Sequence, residues 1–152
     1  MVSGVSINDR TATVRLSPPQ IAVAGAGRIA CNQVLYHLQE RAIEHAVIPW
    51  CERHGVAVVA YSPFGHNEFP TPRSDAGLVL QRIADAHGVS PRQVALGFLT
   101  RGPALFAIPK ASAAAHAADN AAAGSLELSE ADITAIDQAF PRGARPRSLP
   151  ML

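Results

Sequence analysis

The chain has 152 residues, 48% of them hydrophobic and 16% charged, with a formal net charge of +1. That is enough apolar material for one packed core and too little charge for a disordered chain. The near-neutral balance offers no electrostatic handle to nucleic acid or to a membrane surface, so neither is expected as a partner.

The two cysteines, Cys31 and Cys51, stand too far apart for a CxxC pair. Two reduced thiols in a cytoplasmic protein are the expectation. Six histidines are scattered without HExxH or Cys/His spacing, so nothing signals a metal. No basic-then-apolar leader precedes residue 25, and no apolar run approaches ~18 residues.

Residues 1–24 read as a poorly specified leader. Val2 to Asn8 offers a candidate strand, but Asp9 to Gln20 keeps neither a period of two nor one of 3.6, and Pro18 and Pro19 interrupt it. The remainder, 25–152, reads as one unit. Gly25-Ala-Gly27-Arg-Ile-Ala30 matches GxGxxA after the apolar Ile21 to Ala24. A dinucleotide fingerprint needs a helix directly after it. Ile29 to Leu35 is β-branched and mixed, more like a strand. The next strand has no acidic residue for a ribose. The match is therefore read as accidental, and a small Rossmann-type domain ranks last.

A strand is expected over Ile29 to Gln33, then a helix over Ala46 to His54. Pro49 is tolerated in its first turn, and Gly55 suits its end. Val56 to Ala60 (VAVVA) is a continuous apolar run, as expected of a parallel strand covered on both sides. Tyr61-Ser62-Pro63-Phe64-Gly65 closes it. A loop with Pro70 and Pro72 then runs to Ser74, and loops of this length are often functional. Leu78 to Ala86 has helical spacing and stops at Gly88. Ser90-Pro-Arg-Gln93 is a capping-box helix start, with the helix continuing to about Thr100.

Gly102-Pro103 breaks that helix, and Leu105 to Ile108 reads as a buried strand stopped by Pro109. Lys110, Ala111 and Ser112 follow, then an alanine-rich helix. A lysine, a hydroxyl and a helix N-terminus past a strand's carboxyl end suit a phosphate. His116 and Asn120, four apart on one face of that helix, could reach back towards the same ligand; the bland alternative is a βα turn whose lysine is merely solvated. Ser129-Glu-Ala-Asp132 starts a last helix through Ala139, and the tail from Pro141 is expected to be extended. Strand–helix alternation implies right-handed βαβ units around parallel strands. Three strands, with a candidate fourth at Val2 to Ser6, do not close an eight-stranded barrel, which needs ~250 residues.

These pieces, in this order and spacing, resemble the aldo/keto reductases from about Ile29 onward. The matching residues are Ala30-Cys31-Asn32-Gln33; His54-Gly55-Val56 through Ala60-Tyr61-Ser62-Pro63; Ser90 through Leu96; and Ile108-Pro109-Lys110-Ala111-Ser112 with Asn120. The resemblance implies an α/β fold that is half of a TIM (β/α)8 barrel, its carboxyl-terminal half, binding NADP(H). It implies that Gln33 hydrogen-bonds the nicotinamide carboxamide and that Tyr61 stacks on its ring. Ser62 and Phe64 line the pyrophosphate, with the loop after them folding over the cofactor. Lys110 and Ser112 hold the 2′-phosphate, and Asp119 and Asn120 the adenine end. A planar aromatic suits a planar ring, and an ammonium suits a dianion.

The chain departs from the family in three places. His116 stands where many members have an arginine, which weakens selectivity for the 2′-phosphate. Gly4-Val5-Ser6 resembles a strand ending in Ser-Asn, but Ile7 separates Ser6 from Asn8. The family's tetrad of aspartate, tyrosine, lysine and histidine belongs to its amino-terminal half and has no match here. Neither Tyr36 nor Tyr61 fits the donor's motif. No catalytic residue is therefore assigned.

The expectation is an NADP(H)-dependent oxidoreductase for aldehydes and ketones, read as a truncated chain with half a cofactor site. It would bind cofactor weakly alone and take a carbonyl substrate only when completed by another half. The alternative is a non-catalytic half-barrel acting as a structural or regulatory subunit. Either way, unpaired strand edges predict self-association, or a partly unfolded and sticky monomer.

Overall fold

A computed structural model describes residues 29–145. The leader at 1–24, the candidate strand at Val2 to Ser6, the glycines of the GxGxxA match and the end of the tail lie outside the described residues. Strand β1 (Cys31–Leu35) leads through a 3₁₀ turn (Ala42–His45) into α1 (Val47–Arg53). Then come β2 (Ala57–Tyr61), α2 (Asp75–His87), α3 (Pro91–Leu99) and β3 (Leu105–Ile108). Helix α4 (Ala114–Ala122), a short 3₁₀ turn and α5 (Glu130–Ala139) follow. The sheet is ordered β1-β2-β3 with both pairings parallel, a partial α/β barrel.

Hydrophobic alternation builds one core. Val34, Val58, Ala60 and Leu105 of the sheet share one buried cluster with Leu80 and Ile83 of α2 and with Val94, Phe98 and Leu99 of α3. Ile136 of α5 and Phe140, just past its end, close the layer. The caps are those the residues suggest. Ser74 accepts from the Gly77 N–H, and Ser90 and Ser129 each form a reciprocal box, with Gln93 and Asp132 respectively. Gly88 ends α2 at φ 65°, a left-handed angle that favours glycine.

The structure corrects several expectations. The first strand lies at Cys31–Leu35 rather than Ile29 to Gln33. The apolar Val34 and Leu35 carry the pairing on to Ala60 and Tyr61, which leaves Gln33 in mid-strand. A strand at Cys31, with no helix directly after Ala30, also removes the second requirement of a dinucleotide fingerprint. Helix α2 begins at Asp75, three residues before Leu78, because Ser74 caps it. The expected Ala46 to His54 helix is α1, with the separate 3₁₀ turn before it.

The largest correction concerns burial. Neither Val56 to Ala60 nor Leu105 to Ile108 is covered on both sides by the described residues. Val58 and Ala60 are each 1% exposed, but Phe106 is 53% and Ile108 49% exposed. Alternation and register put Gln33, Val59, Tyr61, Phe106 and Ile108 on the uncovered face. An apolar run records that both faces avoid water, not what covers each. No described helix is long and apolar enough to cross a membrane.

Candidate functional site

The carboxyl edge of the sheet gathers most of the expected residues. Tyr61 ends β2, paired with Leu35 on one side and Ile108 on the other. Its ring sits half-buried on the uncovered face. Gln33 is exposed on the same face, one strand away and paired with Val59. At Ser62 the backbone turns through φ 50°, a left-handed angle rare for a residue with a side chain. The Gly65 N–H then donates to the Ser62 carbonyl at 2.9 Å, closing a tight turn. Strain of this kind concentrates where a loop is shaped for a ligand.

The loop from Ser62 to Ser74 is held at several points. The Phe64 ring meets Phe69 edge-on at 5.7 Å, and the Arg92 guanidinium lies over both rings. At the far end the Ser74 hydroxyl donates to the Thr71 carbonyl at 2.8 Å. A Cβ at Gly77 would stand 1.9 Å from that same carbonyl oxygen, so only glycine lets the loop lie this close to α2.

Lys110 lies two residues past the end of β3, exposed and in no ion pair with a described residue. Ser112 is exposed beside it. Helix α4 starts after Ala113, which supplies no side-chain cap. Its first-turn N–H groups therefore lack the side-chain acceptor that the serines give α2, α3 and α5. His116 is exposed on α4, while Asp119 and Asn120 are half-buried. Asp119 is already engaged: its carboxylate accepts from the Ser90 hydroxyl at 3.2 Å, and Gln93 Nε2 donates to its carbonyl at 3.0 Å. The residue expected at the adenine end thus also ties α4 to the start of α3.

Sequence reasoning missed a buried ionic cluster on the other side of the sheet. Arg41 and Glu44 pair there, joined by Tyr36, Arg101 and Asp137. The Tyr36 hydroxyl donates to Glu44 at 2.6 Å and accepts from Arg101 at 2.9 Å. Burial, reinforced by Glu44, drives the Tyr36 pKa far above that of an ordinary phenol. Its hydroxyl is thus engaged within this cluster. The signal available was the polar run Gln39-Glu-Arg41 with Glu44 inside an apolar stretch, three apart and able to pair on one helical turn.

Near the site, His37 is buried, and that burial lowers its pKa against the opposing pull of Glu68 and Glu40. It lines a shallow cleft with Phe64, Glu68 and Phe69. Among the described residues no three His, Cys, Asp or Glu side chains gather as metal ligands.

Residues 20–140 match the model of the aldo/keto reductase family. The chain is 39% identical over 132 residues to methylglyoxal reductase YeaE of Escherichia coli, covering 84% of this chain and 45% of that protein. Pyridoxine 4-dehydrogenase of the same organism is 35% identical over 124 residues, covering 80% and 41%. The chain thus spans less than half the length of these relatives. An aldo/keto reductase from Klebsiella pneumoniae, solved in complex with NADP and acetate, superposes with a TM-score of 0.72 at 35% identity. That match covers 81% of this chain and 44% of the other. A K. pneumoniae aldo-keto reductase solved in complex with NADPH gives 0.71, also at 35% identity.

Proposed function

The chain belongs to the aldo/keto reductase family, and from that premise we propose that it holds NADP(H) at the carboxyl edge of its sheet, in an oxidoreductase acting on aldehydes and ketones. One observation carries the reading. Tyr61 and Ser62 at the end of β2, and Lys110 and Ser112 past the end of β3, stand on register-paired strands beside an α4 N-terminus without a side-chain cap.

The residues fit the cofactor's parts. Tyr61 offers a half-exposed ring on the open face, and Gln33 an exposed amide on the same face. Ser62 presents a hydroxyl from a strained turn, with Phe64 beside it. Lys110 and Ser112 offer charge and a donor to a 2′-phosphate, and the α4 N–H groups add to them. His116, Asp119 and Asn120 line the adenosine end. When bound, the nicotinamide supplies the hydride. Tyr61 fixes which face of that ring is presented, and the 62–74 loop keeps water off the pyrophosphate.

The described tyrosines supply no general acid. Tyr36 is enclosed in the ionic cluster, and Tyr61 is assigned to stacking. A positioned acid is worth ~10²–10⁴-fold, so we propose that these residues alone bind cofactor, weakly, without appreciable turnover. The test is a fluorescence titration of wild type and Lys110→Ala with NADPH and NADH. Charge-assisted hydrogen bonds contribute roughly 1.5–3 kcal/mol, so the substitution should weaken NADPH about ten- to a hundredfold and leave NADH unchanged. Equal weakening of both cofactors would remove Lys110 as the phosphate ligand.

A further inference from the structure

The first turn of α3 touches both walls of the proposed site. Ser90 and Gln93 hold Asp119 of α4, on the adenosine side. Between them in sequence, Arg92 reaches the opposite wall. Its guanidinium carbon lies 4.8 Å from the centre of the Phe64 ring and 5.4 Å from that of Phe69. It pairs with no carboxylate among the described residues. An always-charged, exposed side chain thus spends its described contacts on two rings of one loop.

We propose that Arg92 is a positioning residue that clasps the 62–74 loop closed over the dinucleotide, acting through Phe64 and Phe69 rather than by touching the cofactor. The inference rests on the cofactor reading above. The loop carries Ser62 and Phe64, and its far end is fixed by Gly77 lying against Thr71. With β2 anchoring one end and α2 the other, the middle of the loop is the part free to lift. Of the two rings that Arg92 covers, Phe69 is in that middle and Phe64 lies in the tight turn at the β2 end. Because the same helical turn grips α4, the clasp also sets the gap between the pyrophosphate wall and the adenosine wall.

Two exposed cation–π contacts correspond to about a five- to thirtyfold shift in the opening equilibrium. The experiment uses the full chain as Arg92→Met, Arg92→Lys and Phe69→Leu. Amide hydrogen exchange of residues 62–74 is followed without cofactor, and dissociation of NADPH and NADH by stopped-flow fluorescence. Arg92→Met keeps the stem and loses the charge. It should speed loop exchange and release both cofactors faster by similar factors. Arg92→Lys should restore part of the effect, and Phe69→Leu should reproduce it.

Unchanged loop exchange in Arg92→Met overturns the clasp. Faster loss of NADPH but not NADH also overturns it, because Arg92 would then touch the 2′-phosphate directly. If the wild-type chain binds neither cofactor while loop exchange still accelerates, the cofactor reading fails and the contact between Arg92 and the loop stands.

Discussion

Arg41 and Glu44 form a two-pronged pair inside the protein, with Nε 2.9 Å from Oε1 and Nη2 2.8 Å from Oε2. Their side chains are 2% and 7% exposed. Arg41 also donates to the Phe140 carbonyl and to Asp137, fastening α5 to the segment after β1 across nearly a hundred residues of chain. Its guanidinium lies over Phe98, 4.9 Å from the ring centre.

Removing Arg41 takes the two-pronged partner from the buried Glu44 and leaves it only Tyr36 and the longer contacts to Arg101 and Arg142, so Arg41→Ala should destabilise the fold by about 3 kcal/mol, the low end for breaking a buried pair. Arg41→Lys should recover only part of this, because an ammonium cannot fork to a carboxylate. Burial pushes the Glu44 carboxyl pKa upward, but hydrogen bonds from Arg41 and Tyr36 and the charges of Arg41 and Arg101 outweigh it and hold the value below 4.5. The stabilisation is therefore complete above 4.5 and is lost as pH falls through the lowered value. Denaturant melts from pH 7 to pH 3 should show the gap between wild type and Glu44→Gln narrowing in acid. A constant gap would mean that the Glu44 charge contributes nothing.

Ser62 separates strain from binding. A left-handed backbone costs a residue with a Cβ roughly 1–2 kcal/mol, and glycine avoids this at an entropic cost of roughly 0.5–1 kcal/mol. Ser62→Gly should thus melt at or slightly above wild type, and Ser62→Ala no higher than wild type. Both lose the hydroxyl, so both should weaken NADPH by about 1.5–3 kcal/mol if it donates to a charged phosphate. Equal cofactor affinity in wild type and both variants would place the hydroxyl away from the pyrophosphate.

The face left uncovered by the described residues should govern how the chain behaves in isolation. Phe106 and Ile108 stand exposed on β3, an edge strand among the described residues, beside Val59 and Tyr61, and an apolar edge invites pairing with a second copy. Static light scattering of the purified chain should show self-association. The double substitution Phe106→Asp with Ile108→Asp should reduce it. A monodisperse wild-type monomer that melts cooperatively would count directly against this.

The sequence by itself determined the order of elements and most of their ends. Ser90 and Ser129, followed three residues later by Gln93 and Asp132, start α3 and α5 through local hydrogen bonds. Pro109 bounds β3, and the motifs from Ala30 to Asn120 carried the family, whose model matches residues 20–140. Local chemistry is legible because its partners lie within a turn of one another. Tertiary structure decided the rest. VAVVA and LFAI are apolar runs, yet only the sheet's place in the molecule leaves Phe106 and Ile108 facing outward. Arg41 meets Asp137, and Arg92 meets Phe64 and Phe69, across separations that no local period records. Charges and rings distant in sequence become partners only when packing against one core brings their helices and loops together.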